Sequence, residues 1–354
     1  MFHPLTTPLG VLLLMLLGIT PAHAGGWNWA DEPLWPEFTE SKEICRQWRN
    51  HAPPERDRPD AATLEQLKDC DAEALYHGLD GEADPGAARA CALADPEADS
   101  LGSLSHAAIL MMLHANGAGV ERNLGVAIAL ACAINGAAME IDGRVKHLER
   151  LRRENWQGTN FSWCDDITSG MAQGICARLE SRLAEARNGS RWESLLAKWS
   201  DKATNALLRR LHERFETLVA ARGEHEIERS GTAQLALVLE DEMALREVFL
   251  TDLETIAKGS SPWQGVEKAT DADARLNRCY KAIQRQSRQA FGENWNTVRQ
   301  DGIRQTQRAW LAYRDGWVAF LAQAAPRIPR DTILQGLTLR RVAQLEPFLP
   351  VSNR

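Results

Sequence analysis

The stretch TQRAWLAYRDGWVAF, Thr306 to Phe320, sets two tryptophans and a tyrosine beside an Arg-Asp pair. Ile303, Gln307, Trp310, Arg314 and Trp317 step by four, three, four and three, so a helical period places them along one stripe. An ion-forming and an amide side chain therefore share a face with two indoles, which is chemistry for pairing rather than for bond cleavage. Catalytic spacing is not found elsewhere. His212-Glu213 has no second histidine for a His-Glu-x-x-His site, and Ser200-Asp201-Lys202 lacks a Ser-x-x-Lys companion. No two cysteines form a Cys-x-x-Cys pair for zinc or redox work, and no glycine-rich loop follows a strand to hold a nucleotide. The sequence predicts a non-catalytic protein with no metal and no cofactor.

The start of the chain says where such a stripe is expected to work. An apolar run from Leu9 to Ile19 is followed by Ala22-His23-Ala24, small residues at the positions a signal peptidase reads. Residues 1–24 read as a cleaved signal peptide, with no cysteine after the cut to carry a lipid anchor. The run is shorter than the roughly 20 residues that cross a bilayer, and no later segment is longer and more apolar. A secreted or periplasmic protein without a membrane span is expected. Removing 24 of 354 residues leaves 330, enough for two or three small domains. The formal net charge of −7 argues against a nucleic-acid partner, whose phosphates need clustered Lys and Arg, and leaves open the capture of a cationic protein.

Helices must position the stripe, and the fold class reads as all-α, short helical hairpins packed on a helical bundle. Residues 25–60 are rich in Trp and Pro, with Trp27, Trp29, Trp35 and Trp48 and little helical period, and read as a loosely ordered segment that can lie over the domain that follows. Residues 61–155 are rich in Ala and Leu, with short helical patterns broken by GLDGEADPG and HANGAGVERN. In the second break Gly117 and Gly119 supply the positive backbone angles of a helix end followed by a sharp turn. Residues 156–260 change to long charged helices of an antiparallel bundle, and residues 261–354 form a last helical domain.

Within residues 61–155, AAILMMLHANGAGVERNLGVAIALACAINGAA carries Asn116, Gly117, Gly119, Val120 and Asn123 and resembles a SEL-type repeat, a relative of the tetratricopeptide unit. The preceding DAEALYHGLDGEADPGAARACAL reads as a degenerate copy. Two units fall short of the three that a free-standing solenoid needs, so they must lean on the C-terminal part. The repeat implies protein contact through a concave surface; the bland alternative is a packed hairpin. Such a hairpin brings Cys70 and Cys91 together, although other pairings stay open. Cys164 and Cys176 are a second candidate pair, closing a loop that returns to a helix. Seven cysteines leave at least one thiol over unless a partner supplies an eighth.

Near the C-terminus, Asp273, Leu276, Asn277 and Tyr280 form one pattern, and Gln307, Arg308, Trp310, Tyr313, Arg314 and Asp315 a second. Together they resemble the LprI-type lysozyme-inhibitor family of small, all-helical secreted domains. The stretch from Cys164 to Glu254 resembles a diverged copy of that family's cysteine-marked opening. A family cysteine pair is replaced here by Val318 and Ile333, which the resemblance implies fill the space of a lost disulfide. Cys279 is not a position the pattern uses and is the candidate free thiol. Asp273, Asn277 and Tyr280 lie on one helical stripe and Gln307, Trp310 and Arg314 on another. If the stripes meet, an Asp–Arg pair, an Asn–Gln contact and Tyr on Trp lock the register; the other reading gives some of them to a partner.

The resemblance implies a lysozyme inhibitor, bound to a lysozyme or another cell-wall enzyme. The alternative is a periplasmic scaffold that holds an envelope enzyme through its repeat surface. An inhibitor is expected to show a protruding polar or basic tip, and a scaffold an apolar groove lined by residues 110–131.

Overall fold

The computed structural model describes residues 27–57, 59–67, 69–95, 103–263 and 268–349. The segment read as a signal peptide lies outside them. Every regular element among the described residues is helical, and no described helix is long and apolar enough to cross a membrane.

The first half contains α1 (Thr39–Trp48), α2 (Ala61–Gln66), α3 (Ala72–His77), α4 (Pro85–Ala94), α5 (His106–Asn116), α6 (Leu124–Ala133) and α7 (Ala138–Arg153). Asp71, Asp84, Ser105 and Asn123 start α3 to α6, each accepting from the backbone N–H three residues on. Such a cap contributes ~1 kcal/mol and fixes where the helix begins. Helices α5 and α6 are apolar nearly all round, which marks them for the interior rather than for a surface. Between them Gly117 has φ +67° and its N–H closes on the Leu113 carbonyl. Gly119, φ +62°, leaves room for the start of α4: an added Cβ would stand 2.9 Å from the Pro85 Cβ. Asn116 is 3 % exposed and ties the turn to the chain beyond α7. Its amide donates to the Phe161 carbonyl and to the Tyr76 hydroxyl, and its carbonyl accepts from the Phe161 N–H, each at 2.9 Å.

Two expectations need correcting here. Residues 110–131 form no concave apolar groove of their own, because Leu110, Met112, Leu113, Val126, Ile128 and Ala131 are buried. Helices α1, α4 and α7 pack onto the α5–α6 hairpin and cover it. Nor is the Trp-rich segment loosely ordered. It folds as a 3-10 turn at Trp29–Asp31 followed by α1, with Trp29 1 % exposed and donating to the Ser41 hydroxyl at 2.8 Å. The Lys42 ammonium donates to the carbonyls of Glu32 and Trp35, both at 2.6 Å, and lies 5.0 Å from the Trp29 ring centroid. A disulfide from Cys45 to Cys132 clamps α1 to the end of α6.

Helix α8 (Gly170–Lys198) joins the halves. Ala172, Cys176 and Leu179 belong to the first core and Leu195 and Leu196 to the second, so the division of the interior falls inside α8 rather than near residue 155. Helix α9 (Lys202–His225) follows after a short turn and α10 (Gln234–Ala257) turns back to lie along α8. Ion pairs Arg222–Asp241 and Arg246–Glu216 show α9 and α10 antiparallel. Arg191 bonds both Glu247 and Glu254, setting α10 alongside α8. The remaining helices are α11 (Ala269–Arg285), α12 (Arg288–Asn294), α13 (Gln300–Ala324) and α14 (Arg330–Leu345).

The structure bonds Cys70 to Cys91 and Cys164 to Cys176. With Cys45–Cys132 these staple the first core alone, and Cys279 is free and buried in the second. Three disulfides fit an oxidising, extracytoplasmic environment.

Candidate functional site

The stripe on α13 is held by α9. Gly302 faces His225, Thr306 donates to the Ala221 carbonyl at 3.0 Å, and Gly316 faces Leu211 and Arg214, so the two helices run antiparallel along their length. Small residues permit this approach: a Cβ on Gly302 would stand 2.9 Å from the His225 Cβ. The aromatic residues then fill the centre of the second core. Trp317, fully buried, meets Trp263 edge-on with centroids 5.4 Å apart and Phe249 at 5.7 Å, while Trp199 meets Phe320 at 5.0 Å. Such edge-to-face pairs add about 0.5–1.5 kcal/mol each beyond area burial. Desolvation pushes the Tyr313 hydroxyl far above its ordinary pKa, which suits a packing residue.

The ten residues of the two patterns separate into three groups. Leu276, Trp310 and Tyr313 are buried in the core, and Tyr280 packs partly buried against it. Gln307 is half-buried and its carbonyl accepts from the Arg341 Nε at 2.9 Å. Asp273, Asn277, Arg308 and Asp315 are exposed, and Arg314 lies at the surface between them. Its guanidinium lies 5.3 Å from the Trp310 ring centroid, 3.1 Å from Asp315 and 3.9 Å from Asp273.

The expected lock between the stripes is therefore only partly made. The Asp273–Arg314 pair forms, but at the solvent edge rather than buried. Asn277 donates to Asp273 on its own helix at 3.5 Å and does not meet Gln307. Among the described residues no ring contact joins Tyr280 to a tryptophan. The reason is the course of α11, which packs chiefly on α14 and touches α13 through Asp273 at one end and Gln284 at the other.

The buried lock lies elsewhere. Arg341 on α14 bonds Glu226, the cap residue of α9, at 2.8 and 2.5 Å, with both side chains fully buried. Arg222 adds a bond to Glu226 at 3.1 Å and grips Asp241 at 2.8 and 2.7 Å. The neighbouring Arg340 takes Asp252 of α10 in a two-point pair, one bond at 2.9 Å. Burial pushes the Asp252 carboxyl above its ordinary pKa against the pull of Arg340. Two adjacent arginines thus tie α14 to α9 and α10. The sequence carried a signal for this: Leu337, Arg341 and Leu345 share one helical phase, and a charge in an apolar stripe calls for a buried partner. Val318 and Ile333 both pack into this second core.

What remains at the surface is a polar edge of α11 and α13, two carboxylates around one guanidinium braced on an indole. Such an edge can form charge-assisted hydrogen bonds with a protein surface. Among the described residues no three potential metal ligands converge. Residues 266–345, which hold both patterns, match the family model described as lysozyme inhibitor LprI. The match starts after α10, so Cys164 to Glu254 lies outside it, as do the α3–α4 and α5–α6 hairpins. No curated protein and no solved structure matches the chain.

Proposed function

We propose that this chain, with a lysozyme-inhibitor LprI domain over residues 266–345, is an exported, non-catalytic protein-binding protein that inhibits a lysozyme. The observation that carries the reading is that match, on a domain whose surface keeps Asp273, Asn277, Arg308, Arg314 and Asp315 while the rest of the patterns is used inside. Arg314 is the residue best placed to lead. Its guanidinium is already oriented by Trp310, Asp273 and Asp315, so less side-chain entropy is lost on contact than for a free arginine. Lysozymes are commonly basic with carboxylates in the cleft, so a chain of net charge −7 is steered toward one and an arginine at its edge finds a counter-charge. Ala22-His23-Ala24 after an apolar run, together with three disulfides, supports a cleaved signal peptide and a periplasmic or secreted destination.

The test is lysis of a bacterial cell-wall suspension by a basic lysozyme, with and without a molar excess of the mature protein, at low and physiological salt. Inhibition that survives physiological salt is expected, and Arg314→Ala should weaken it by about tenfold, the range for one charged hydrogen-bonded contact. Absence of inhibition at both salts, or an Arg314→Ala protein as potent as the parent, refutes the reading.

A further inference from the structure

A groove of about 880 Å³ opens where the end of α6, the start of α7 and the first turn of α8 come together. Trp27, Leu130, Ile134, Trp163, Met171 and Ile175 make it apolar, and Glu140 is the one charged side chain among its lining residues. Met171 stands 70 % exposed on the rim, and Met139, next to Glu140 in the chain, is 65 % exposed. Exposed methionines are soft, adaptable contact surface, and an apolar patch of this kind marks a binding face.

One polar group in the lining shows what the occupant must offer. Glu140 is 2 % exposed, and its Oε1 accepts from the backbone N–H groups of Thr168 and Ser169 at 2.9 and 2.6 Å. Its Oε2 is turned toward Gly136, which also lines the groove; a Cβ there would stand 3.5 Å from it. Burial alone would raise this carboxyl's pKa, but the two amides, the Ser169 hydroxyl and Arg144 outweigh it and hold it below its ordinary value. The groove therefore carries a negative charge at neutral pH.

We propose that this groove docks a segment of another protein, with aliphatic side chains on the apolar floor and a Lys or Arg at Glu140. A peptide supplies both at once, because aliphatic and basic side chains can follow one another along one backbone. A nucleic acid is disfavoured by the negative charge, and a second copy of this chain, itself at −7, is a poorer match than a basic partner. The surface lies in the first core and does not depend on the inhibitor reading of the second.

The probes are two fluorescein-labelled hexapeptides, Ala-Leu-Leu-Lys-Leu-Ala and the same peptide with Glu for Lys, titrated by anisotropy against the whole mature protein. The Lys peptide should bind about tenfold more tightly than the Glu peptide. Glu140→Gln, which keeps the shape and the acceptor oxygen, should erase that preference. Ala133→Trp places an indole in the groove from an exposed position and should abolish binding of both, with an unchanged circular-dichroism melt showing the fold intact. Absence of binding, equal binding of the two peptides, or binding untouched by Ala133→Trp overturns the proposal. So does a sedimentation result in which the protein is a dimer that Ala133→Trp dissociates, since the occupant would then be a second copy.

Discussion

Removing Glu226 should cost the second core more than removing Arg341, although each breaks the same buried ion pair. Both side chains are fully buried, which puts the loss of one partner in the range of about 3–5 kcal/mol. The surroundings decide which loss reaches the top of that range and which falls toward or below its foot. Glu226→Met leaves the Arg341 guanidinium with only the amide oxygens of Gln307 and Gln344, at 2.9 and 3.3 Å, so a cation stays buried without a counter-charge and the cost should approach 5 kcal/mol. Arg341→Met leaves Glu226 with Arg222 at 3.1 Å, so the remaining charge is still paired and the cost should be nearer ~2–3 kcal/mol. Arg222 keeps its two bonds to Asp241 in either case. The double replacement removes both charges and should be less damaging than Glu226→Met alone, a coupling that separates charge burial from lost packing. Urea unfolding followed through Trp199, Trp263, Trp310 and Trp317, all in the second core, reads the effect. With a slope of about 2 kcal/mol per molar urea, Glu226→Met should lower the midpoint by about 2 M and Arg341→Met by about 1 M. A Glu226→Met protein no less stable than Arg341→Met, or a double cost equal to the sum of the single costs, refutes the reasoning.

Two further outcomes follow from the division of the interior. All three disulfides staple the first core, and Cys45–Cys132 spans 87 residues, so its loss through a Cys45→Ala, Cys132→Ala pair should cost about 4–5 kcal/mol. Calorimetry under reductant should show the first core melting earlier while the transition of the second keeps its place; both moving together argues against separate cores. Acid should also weaken the first core through His114, which is 1 % exposed with both ring nitrogens unpartnered. Burial depresses its pKa below 6.5, with Arg89 adding and Asp57 opposing, so the unfolded chain takes the proton first. The stability this histidine contributes is present above pH 6.5 and lost as pH falls through the lower folded-state value. His77, depressed by burial and by Arg182, acts in the same direction. Melting temperatures from pH 8 to pH 5 should fall less steeply in His114→Met than in the parent, and equal slopes contradict this.

Much of the architecture was legible because it is written in short stretches of chain. Caps three residues ahead of a helix turn, glycines at positive φ, and the apolar phase of α13 are local facts, so the helices and the turn at Asn116–Gly119 could be read directly. The core places of Leu276, Trp310 and Tyr313 were less legible, since the stripe that carries Trp310 also carries Arg314, which stays at the surface. Partner choice between helices could not. Asp273, Asn277 and Tyr280 form a regular stripe whether α11 lies on α13 or on α14, and only packing of the whole second core sends it to α14. The same holds for Glu226 and Arg341, 115 residues apart, whose pairing is set by where α14 crosses the end of α9. Trp29 and Lys42 fold into the interior because Cys45 can reach Cys132 and because α6 leaves an apolar face to cover, neither of which shows in the composition of residues 25–60. Sequence by itself determined the helices, their inward faces and the residues available for an ion pair, because those depend on interactions within a few turns. Tertiary structure alone decided which charges were buried together, which stayed at the surface, and where the groove opened, because each depends on surfaces that meet only after the chain has closed on itself.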